Sequence, residues 1–175
     1  KNTDLGHCLR RACHFGQPQC VRLLLAARAA IDQPDIDGDM PLYIACRYGH
    51  GECTQLLLAA RAAVDQPDID GATPLYAACR YGHGECTQLL VAARAAIDQS
   101  ANNGSTPLYA ACTHGHSECT QLLLAARAAI DQPDDDGTTP LYAACSGGHS
   151  KCTQLLLAAR AAIDQPSNDG ITPLY

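Results

Sequence analysis

A strict period of 33 residues constrains the fold of this chain more than any other feature. Glycines recur at this interval as Gly38, Gly71, Gly104, Gly137 and Gly170. Prolines recur in the same way as Pro41, Pro74, Pro107, Pro140 and Pro173. Self-similarity at such a spacing indicates a solenoid, in which each unit buries its apolar face only against its neighbours. An array of this kind has no single core, so its function must depend on its surfaces.

A single unit predicts two helices and a connecting turn. Thr73 precedes Pro74, which places a hydroxyl at an N-cap position and a proline at the first helical position. Gly82 is expected to end this first helix, because glycine readily adopts a positive φ. A second helix is expected from about Gly84, followed by a turn-rich connection over 98–104. The sequence therefore predicts an all-α chain.

The run from Gly71, G-A-T-P-L-Y-A-A-C-R-Y-G-H-G-E-C-T-Q-L-L, resembles the ankyrin repeat, whose usual form contains T-P-L-H and G-H. The resemblance implies an ankyrin-like helical solenoid of stacked helix-turn-helix repeats joined by protruding turns or hairpins. It divides 1–175 into a degenerate first repeat, four full repeats and the start of a sixth. Their bounds are 1–37, 38–70, 71–103, 104–136, 137–169 and 170–175. In the first repeat, Leu5 and Cys8 replace the turn glycine and the proline.

Three departures from the ankyrin pattern affect local structure. Tyrosine replaces the histidine of T-P-L-H at Tyr43, Tyr76, Tyr109, Tyr142 and Tyr175. Met40 replaces the capping threonine once, which removes a cap worth about 1 kcal/mol. The glycine that normally ends the second helix is arginine, at Arg28, Arg61, Arg94, Arg127 and Arg160. We expect either an extra part-turn of helix there or a left-handed arginine, at a cost of roughly 1 kcal/mol.

Charge and cysteine content narrow the class of partner and the compartment. The net charge of −6 and the pI near 5.5 argue against nucleic acid, and no apolar run approaches the roughly 18 residues of a membrane span. Ten of the eleven cysteines form two rows with the repeat period. Neighbours in a row should lie about 8–10 Å apart, too far for a disulfide. We therefore expect free thiols and an intracellular, cytoplasmic location. A pair within one repeat, such as Cys46 with Cys53, remains open.

The histidine and cysteine rows also allow a functional interpretation. His50, His83, His116 and His149 each precede a cysteine by three positions. We interpret these cysteines as core residues, with a metal- or redox-responsive rod as the alternative. Identical copies along a rod offer no single catalytic constellation, so we expect a noncatalytic chain that uses no cofactor. The arginine row, four residues before an aspartate in each unit, is interpreted as helix-end and turn chemistry, or alternatively as a ladder that binds a partner.

Positions that vary between otherwise similar units are the better functional candidates. They lie at the end of each first helix and at the turn tips, which together line the concave recognition face in ankyrin-like proteins. Aromatic and arginine side chains are enriched at binding hot spots. The candidate protein-binding residues are Phe15, Ile36, Asp37, Asp39, Arg47, Tyr48, Ile69, Asp70, Arg80, Tyr81, Asn102, Asn103, Thr113 and His114. An ordinary scatter of surface residues is the alternative.

These patterns predict a protein–protein interaction module that binds a protein or peptide along its concave face. The acidic tips favour partners that carry some basic groups. An architectural or engineered, consensus-like array is a further alternative, because two of the units are nearly identical. The chain begins at Lys1 and ends inside a repeat, so we expect both ends to be cut from a longer protein. We expect a monomer, with end-to-end association left open.

Overall fold

The computed structural model describes residues 2–172, with side chains from Leu5 onward, as a stack of helix pairs. Ten helices lie in these residues. The first helices of the pairs are α1 (Asn2–His14), α3 (Pro41–Arg47), α5 (Pro74–Tyr81), α7 (Pro107–Thr113) and α9 (Pro140–Ser146). The second helices are α2 (Pro18–Ala26), α4 (Gly51–Ala59), α6 (Gly84–Ala92), α8 (Ser117–Ala125) and α10 (Ser150–Ala158). The all-α solenoid predicted from the period is confirmed.

The core runs the length of the stack instead of forming one centre. Each first helix packs against the next first helix and against its own second helix, and the second helices form a parallel row. Leucines at equivalent positions of both helix rows are fully buried: Leu42, Leu75, Leu108 and Leu141, and Leu57, Leu90, Leu123 and Leu156. Each layer therefore buries its apolar residues against its neighbours. None of the described helices is both long and apolar enough to cross a bilayer.

The first helices begin as the sequence predicts. Thr73 accepts a hydrogen bond from the Tyr76 N–H at 3.2 Å, and equivalent caps begin α7 and α9. Met40 makes no side-chain cap, and its side chain is buried instead. In the first repeat, α1 continues through Leu5 and Cys8, because no proline interrupts the helix there.

The second helices end at left-handed arginines. All five have positive φ, between 59° and 68°. In the second layer the Arg61 N–H donates to the Leu58 carbonyl and the Ala62 N–H donates to the Leu57 carbonyl, both at 3.0 Å. This pair of hydrogen bonds is the Schellman motif, in which the left-handed residue is usually glycine. Of the two predicted outcomes, the left-handed arginine is therefore the observed one.

Turns connect each layer to the next, and the described residues contain no strand. Asp68 Oδ1 accepts hydrogen bonds from the N–H groups of Asp70 and Ala72, which closes one tip. Successive tips are joined as well, for example by the Asn102 N–H to the Asp70 carbonyl at 2.9 Å. Pro173 and Tyr175, the clearest markers of a sixth repeat, lie outside the described residues.

Candidate functional site

A groove lies where the turn tips meet the ends of α3 and α5. It encloses a cavity of about 530 Å³. The lining residues are Asp37, Asp39, Tyr43, Arg47, Asp68, Ile69, Asp70, Ala72, Tyr76, Arg80, Tyr81, Ala101, Asn102 and Asn103. Three consecutive tips therefore contribute to one depression, which we call the concave cavity.

Small and aromatic side chains form the floor of the concave cavity. Tyr43, Ala72 and Tyr76 are buried in one apolar cluster, against which Ala101 packs. Burial, followed by the neighbouring Asp68 carboxylate, raises the pKa of the Tyr43 phenol above its ordinary value. The floor is thus held in place by packing.

Acidic groups crowd one wall of the concave cavity. Asp39 lies 3.6 Å from the Arg47 guanidinium, with 16% of its side chain exposed. Burial is the largest cause that raises the pKa of Asp39 to about 6, and neighbouring Asp35 adds to it. Arg47 acts in the opposite direction, while the Asp68 carboxylate raises the pKa further. One arginine therefore does not compensate for the carboxylates around it.

Aromatic rings and arginines form a ridge beside the cavity. The Arg47 guanidinium lies 5.6 Å from the Tyr81 ring centroid and 5.9 Å from that of Tyr48. Tyr48 in turn meets the His14 ring edge-on, with centroids 4.3 Å apart, and His14 meets Phe15 at 4.7 Å. Cation–π contacts of this kind hold Arg47 over two adjacent layers.

The structure brings together nine of the fourteen candidate binding residues as lining of the concave cavity. They are Asp37, Asp39, Arg47, Ile69, Asp70, Arg80, Tyr81, Asn102 and Asn103. Phe15 and Tyr48 extend the surface along the aromatic ridge, while Thr113 and His114 lie at the end of α7. Ile36 is 94% exposed at the first tip, outside the cavity lining.

Five lining residues did not emerge from the sequence as binding candidates: Tyr43, Asp68, Ala72, Tyr76 and Ala101. The tyrosine row departs from the ankyrin pattern and could have indicated a binding role. A tyrosine at that position is, however, equally consistent with a core residue. Ala101 carried another signal, because it stands one period after Asp68. Only the folded tips place these residues beside the helix ends.

The histidine row joins consecutive layers through main-chain hydrogen bonds. His83 Nε2 lies 3.1 Å from the carbonyl oxygen of Arg47, the last residue of α3. Since a carbonyl only accepts, this nitrogen carries the proton and donates it. The same contact recurs for His50, His116 and His149. Glycine is needed opposite each ring, because a Cβ at Gly49 would collide with His83.

The cysteine rows pack around buried threonines. Thr54 Oγ1 lies 3.7 Å from Cys46 Sγ of its own repeat and 3.5 Å from Cys86 Sγ of the next. Thr87 and Thr120 repeat the arrangement. Burial raises the pKa of the Cys46 thiol well above its ordinary value, and all eleven cysteines are free. Most cysteines of both rows thus contact a threonine of their own or the neighbouring repeat. No group of three or more potential metal ligands lies in residues 5–172.

The aspartates that follow the arginine row also bond to the neighbouring layer. Asp65 Oδ1 accepts a hydrogen bond from the Ala96 N–H at 2.8 Å, and Asp32, Asp98 and Asp131 do the same one layer apart. Backbone bonding was the expected role of these residues. It occurs between repeats, not within one turn.

The fold and the groove define a helical-repeat chain with one cavity formed by its turn tips and helix ends. Three overlapping matches to the family model described as ankyrin repeats cover residues 9–102, 62–134 and 88–169. The chain therefore belongs to the ankyrin-repeat family. Ankyrin repeats are generally protein-interaction modules and typically noncatalytic. Among curated proteins, none matches this sequence at a significant level.

Proposed function

We propose that this array is a noncatalytic recognition module whose concave cavity and adjacent aromatic ridge bind a segment of a partner protein. The observation that carries the proposal is the convergence of three tips and two helix ends on one cavity of about 530 Å³. Tyr81 and Tyr48 remain 41% and 42% exposed beside it, although both are large aromatic residues. Exposed aromatic side chains with an arginine held between them are typical of binding hot spots.

The proposed surface is held rigid before a partner arrives. Layers on both sides fix the floor tyrosines, and hydrogen bonds between successive tips fix the rim. Binding to such a surface costs little ordering of the array itself. A short extended segment of a partner protein or a peptide is the ligand that fits a shallow groove crossing several layers.

Selection of peptides from a random displayed library against the wild-type array tests this function. Affinity of the enriched peptides should fall at least about tenfold in the double variant Tyr48→Ala/Tyr81→Ala, a loss of about 1.4 kcal/mol. Leu23→Ala is the matched control, because Leu23 is 71% exposed on α2 and does not line the cavity. Circular dichroism confirms that both variants fold. Equal binding to all three proteins, or no enrichment of any peptide, would contradict the proposal.

A further inference from the structure

The tyrosines of the first-helix row differ in what faces them. In two layers an aspartate of the following tip lies against the tyrosine, and burial together with this carboxylate raises the tyrosine pKa. The pairs are Tyr43 with Asp68 and Tyr109 with Asp134. In the layer between them, the equivalent tip position is occupied by Ala101. The concave cavity opens at this layer, where the carboxylate is missing.

Tyr76 therefore stands without the acidic neighbour that Tyr43 and Tyr109 have. Its side chain is more than nine-tenths buried, with 7% exposed, and it lines the concave cavity. None of the side-chain hydrogen bonds in residues 5–172 uses its hydroxyl group, although its N–H bonds to Thr73. Because no buried side-chain oxygen in the described residues lacks a partner, the unpartnered Tyr76 oxygen must be the accessible part of this side chain, where a ligand in the cavity can hydrogen-bond to it.

The charges around this hydroxyl are unbalanced. Four aspartates but only two arginines line the concave cavity. Arg47 is already held by Asp39 and by two tyrosine rings, while Asp37 and Asp70 are exposed at the tips. Burial first, and then the neighbouring carboxylates, raise the pKa of Asp39 to about 6, so negative charge at this wall is unfavourable. A cation that enters the cavity relieves this repulsion.

We infer that the concave cavity receives a basic side chain, arginine or lysine, from an extended segment of the partner protein. The cationic group lies among the lining carboxylates and donates a hydrogen bond to the Tyr76 hydroxyl oxygen. Its aliphatic stem covers the small side chains of Ala72 and Ala101, as basic side chains do on apolar surface. This inference deepens the proposed function and rests on it, since it names the chemistry of the segment that the module binds.

The test uses the peptides enriched from the random library. In each peptide, arginine is replaced by citrulline or lysine by acetyl-lysine, which removes the charge while nearly preserving the shape. Binding is measured by fluorescence anisotropy at one fixed, low salt concentration, because surface electrostatics are screened by salt. We expect one basic position at which neutralisation weakens binding at least about tenfold, since charged hydrogen bonds in a partly buried site are strong.

One variant distinguishes insertion of a basic side chain into the cavity from general electrostatic attraction to an acidic protein. Ala101→Asp restores the aspartate found in neighbouring layers, where Asp68 and Asp134 occupy the same backbone position. The variant array should therefore fold, as circular dichroism can check. It becomes more acidic but loses the space above Tyr76, so we expect binding of the basic peptides to weaken about tenfold. Long-range attraction alone would strengthen their binding.

A second pair of variants measures the role of the lining charge. Asp70→Asn removes an exposed carboxylate that lines the cavity, and we expect it to weaken binding of the basic peptides severalfold. Glu118→Gln is the matched control, because it removes an exposed carboxylate of α8 outside the cavity. Its affinity should stay within twofold of that of the wild-type array.

The outcomes distinguish this inference from the proposed function. Enriched peptides that bind at the cavity but tolerate neutralisation, or that carry acidic residues directed at Arg47 and Arg80, overturn the inference and leave the recognition module intact. Stronger binding to Ala101→Asp overturns it as well. Failure to enrich any peptide contradicts the proposed function, and the inference falls with it.

Discussion

The pKa of Asp39 depends on its burial and on several carboxylates of the neighbouring turn tips. Its carboxylate is paired with Arg47, and an ion pair alone would lower its pKa. The pKa is instead raised to about 6, first by burial and then by Asp35, with Asp68 and Asp37 adding to the effect. Crowding of carboxylates at successive tips thus outweighs a direct contact with a guanidinium. In the sequence, these aspartates are ordinary turn residues.

Ionising Asp39 in the folded state costs free energy, so a mutation at Asp39 should change how stability depends on pH. Because the folded pKa lies above the unfolded value of about 3.8, the folded state binds more protons between pH 4 and pH 6. Stability due to Asp39 is therefore full below pH 4 and lost as pH rises through 6. We expect Asp39→Asn to stabilise the array at pH 7 by about 1–2 kcal/mol, less than the full shift implies because the carboxyl is partly solvated.

Urea unfolding of the wild type and Asp39→Asn across pH 4 to 8 measures this difference. The gap between the two proteins should open between pH 4 and 6 and stay constant above it. Glu118→Gln, which removes an exposed carboxylate elsewhere, should show no such opening. A pH-independent gap for Asp39→Asn would mean that the substitution acts through shape and not through charge.

Among the elements, the ends of the second helices carry a strain that recurs in every layer. The arginine at each end has a positive φ, where a Cβ is disfavoured, and the Schellman hydrogen bonds hold it there. A cation at a helix C-terminus gains a few tenths of a kcal/mol from the dipole, which offsets part of the strain. The alanine that follows each arginine is buried in the core, and the Schellman hydrogen bonds fix the backbone angle.

Replacement of one of these arginines by glycine should therefore stabilise the array. We expect Arg94→Gly to raise the free energy of unfolding by about 0.5 kcal/mol, after the loss of charge and the greater entropy of an unfolded glycine are counted. Arg94→Ala keeps the Cβ but removes the charge, so it should be neutral or slightly destabilising. Chemical denaturation of the three proteins side by side provides the measurement. A stabilised alanine variant would show that the charge, and not the backbone angle, was unfavourable.

Sequence reasoning succeeded where the chemistry of an element is local. The threonine caps, the proline at the first helical position and the glycine ends fix the helices within a few residues, and the period fixes how they stack. It left the arginine ends open, because A-A-R-A-A is a good helix former and the competing Schellman bonds depend on the following turn. Nine of the binding candidates lie beside one cavity, whereas the lining residues Tyr76 and Ala101 were not among the candidates. Their meaning depends on which tip lies above which helix, and that relation crosses repeats.

For the whole molecule, the contacts that matter run from one layer to the next. Besides the leucine core, each of the three interfaces between the second and fifth layers carries a histidine bonded to a helix-end carbonyl, an aspartate bonded to a backbone N–H, and a threonine between two cysteines. At the first interface, Val21 takes the place of the threonine. These contacts are nearly the same at every interior interface. In a stack of nearly equal layers, the free energy of unfolding is approximately the sum of the contributions of the layers and of their interfaces. The terminal layers have one interface each and should be less stable. The exposed Cys20 of the first pair and the partly exposed Cys145 of the last agree with this, since their equivalents in between are buried.

A series of identical substitutions along the stack can test this coupling. Leu57, Leu90, Leu123 and Leu156 occupy equivalent positions and are all fully buried. Replacing leucine by alanine at any of these positions costs about 2–5 kcal/mol. How many layers lose protection should depend on where in the stack the substitution lies. We expect Leu156→Ala to expose α9 and α10 while earlier layers keep their protection in native-state hydrogen exchange. Leu90→Ala, with layers on both sides, should lower protection throughout the array. Equal, uniform loss of protection in both variants would instead indicate a single cooperative unit without layer-by-layer stability.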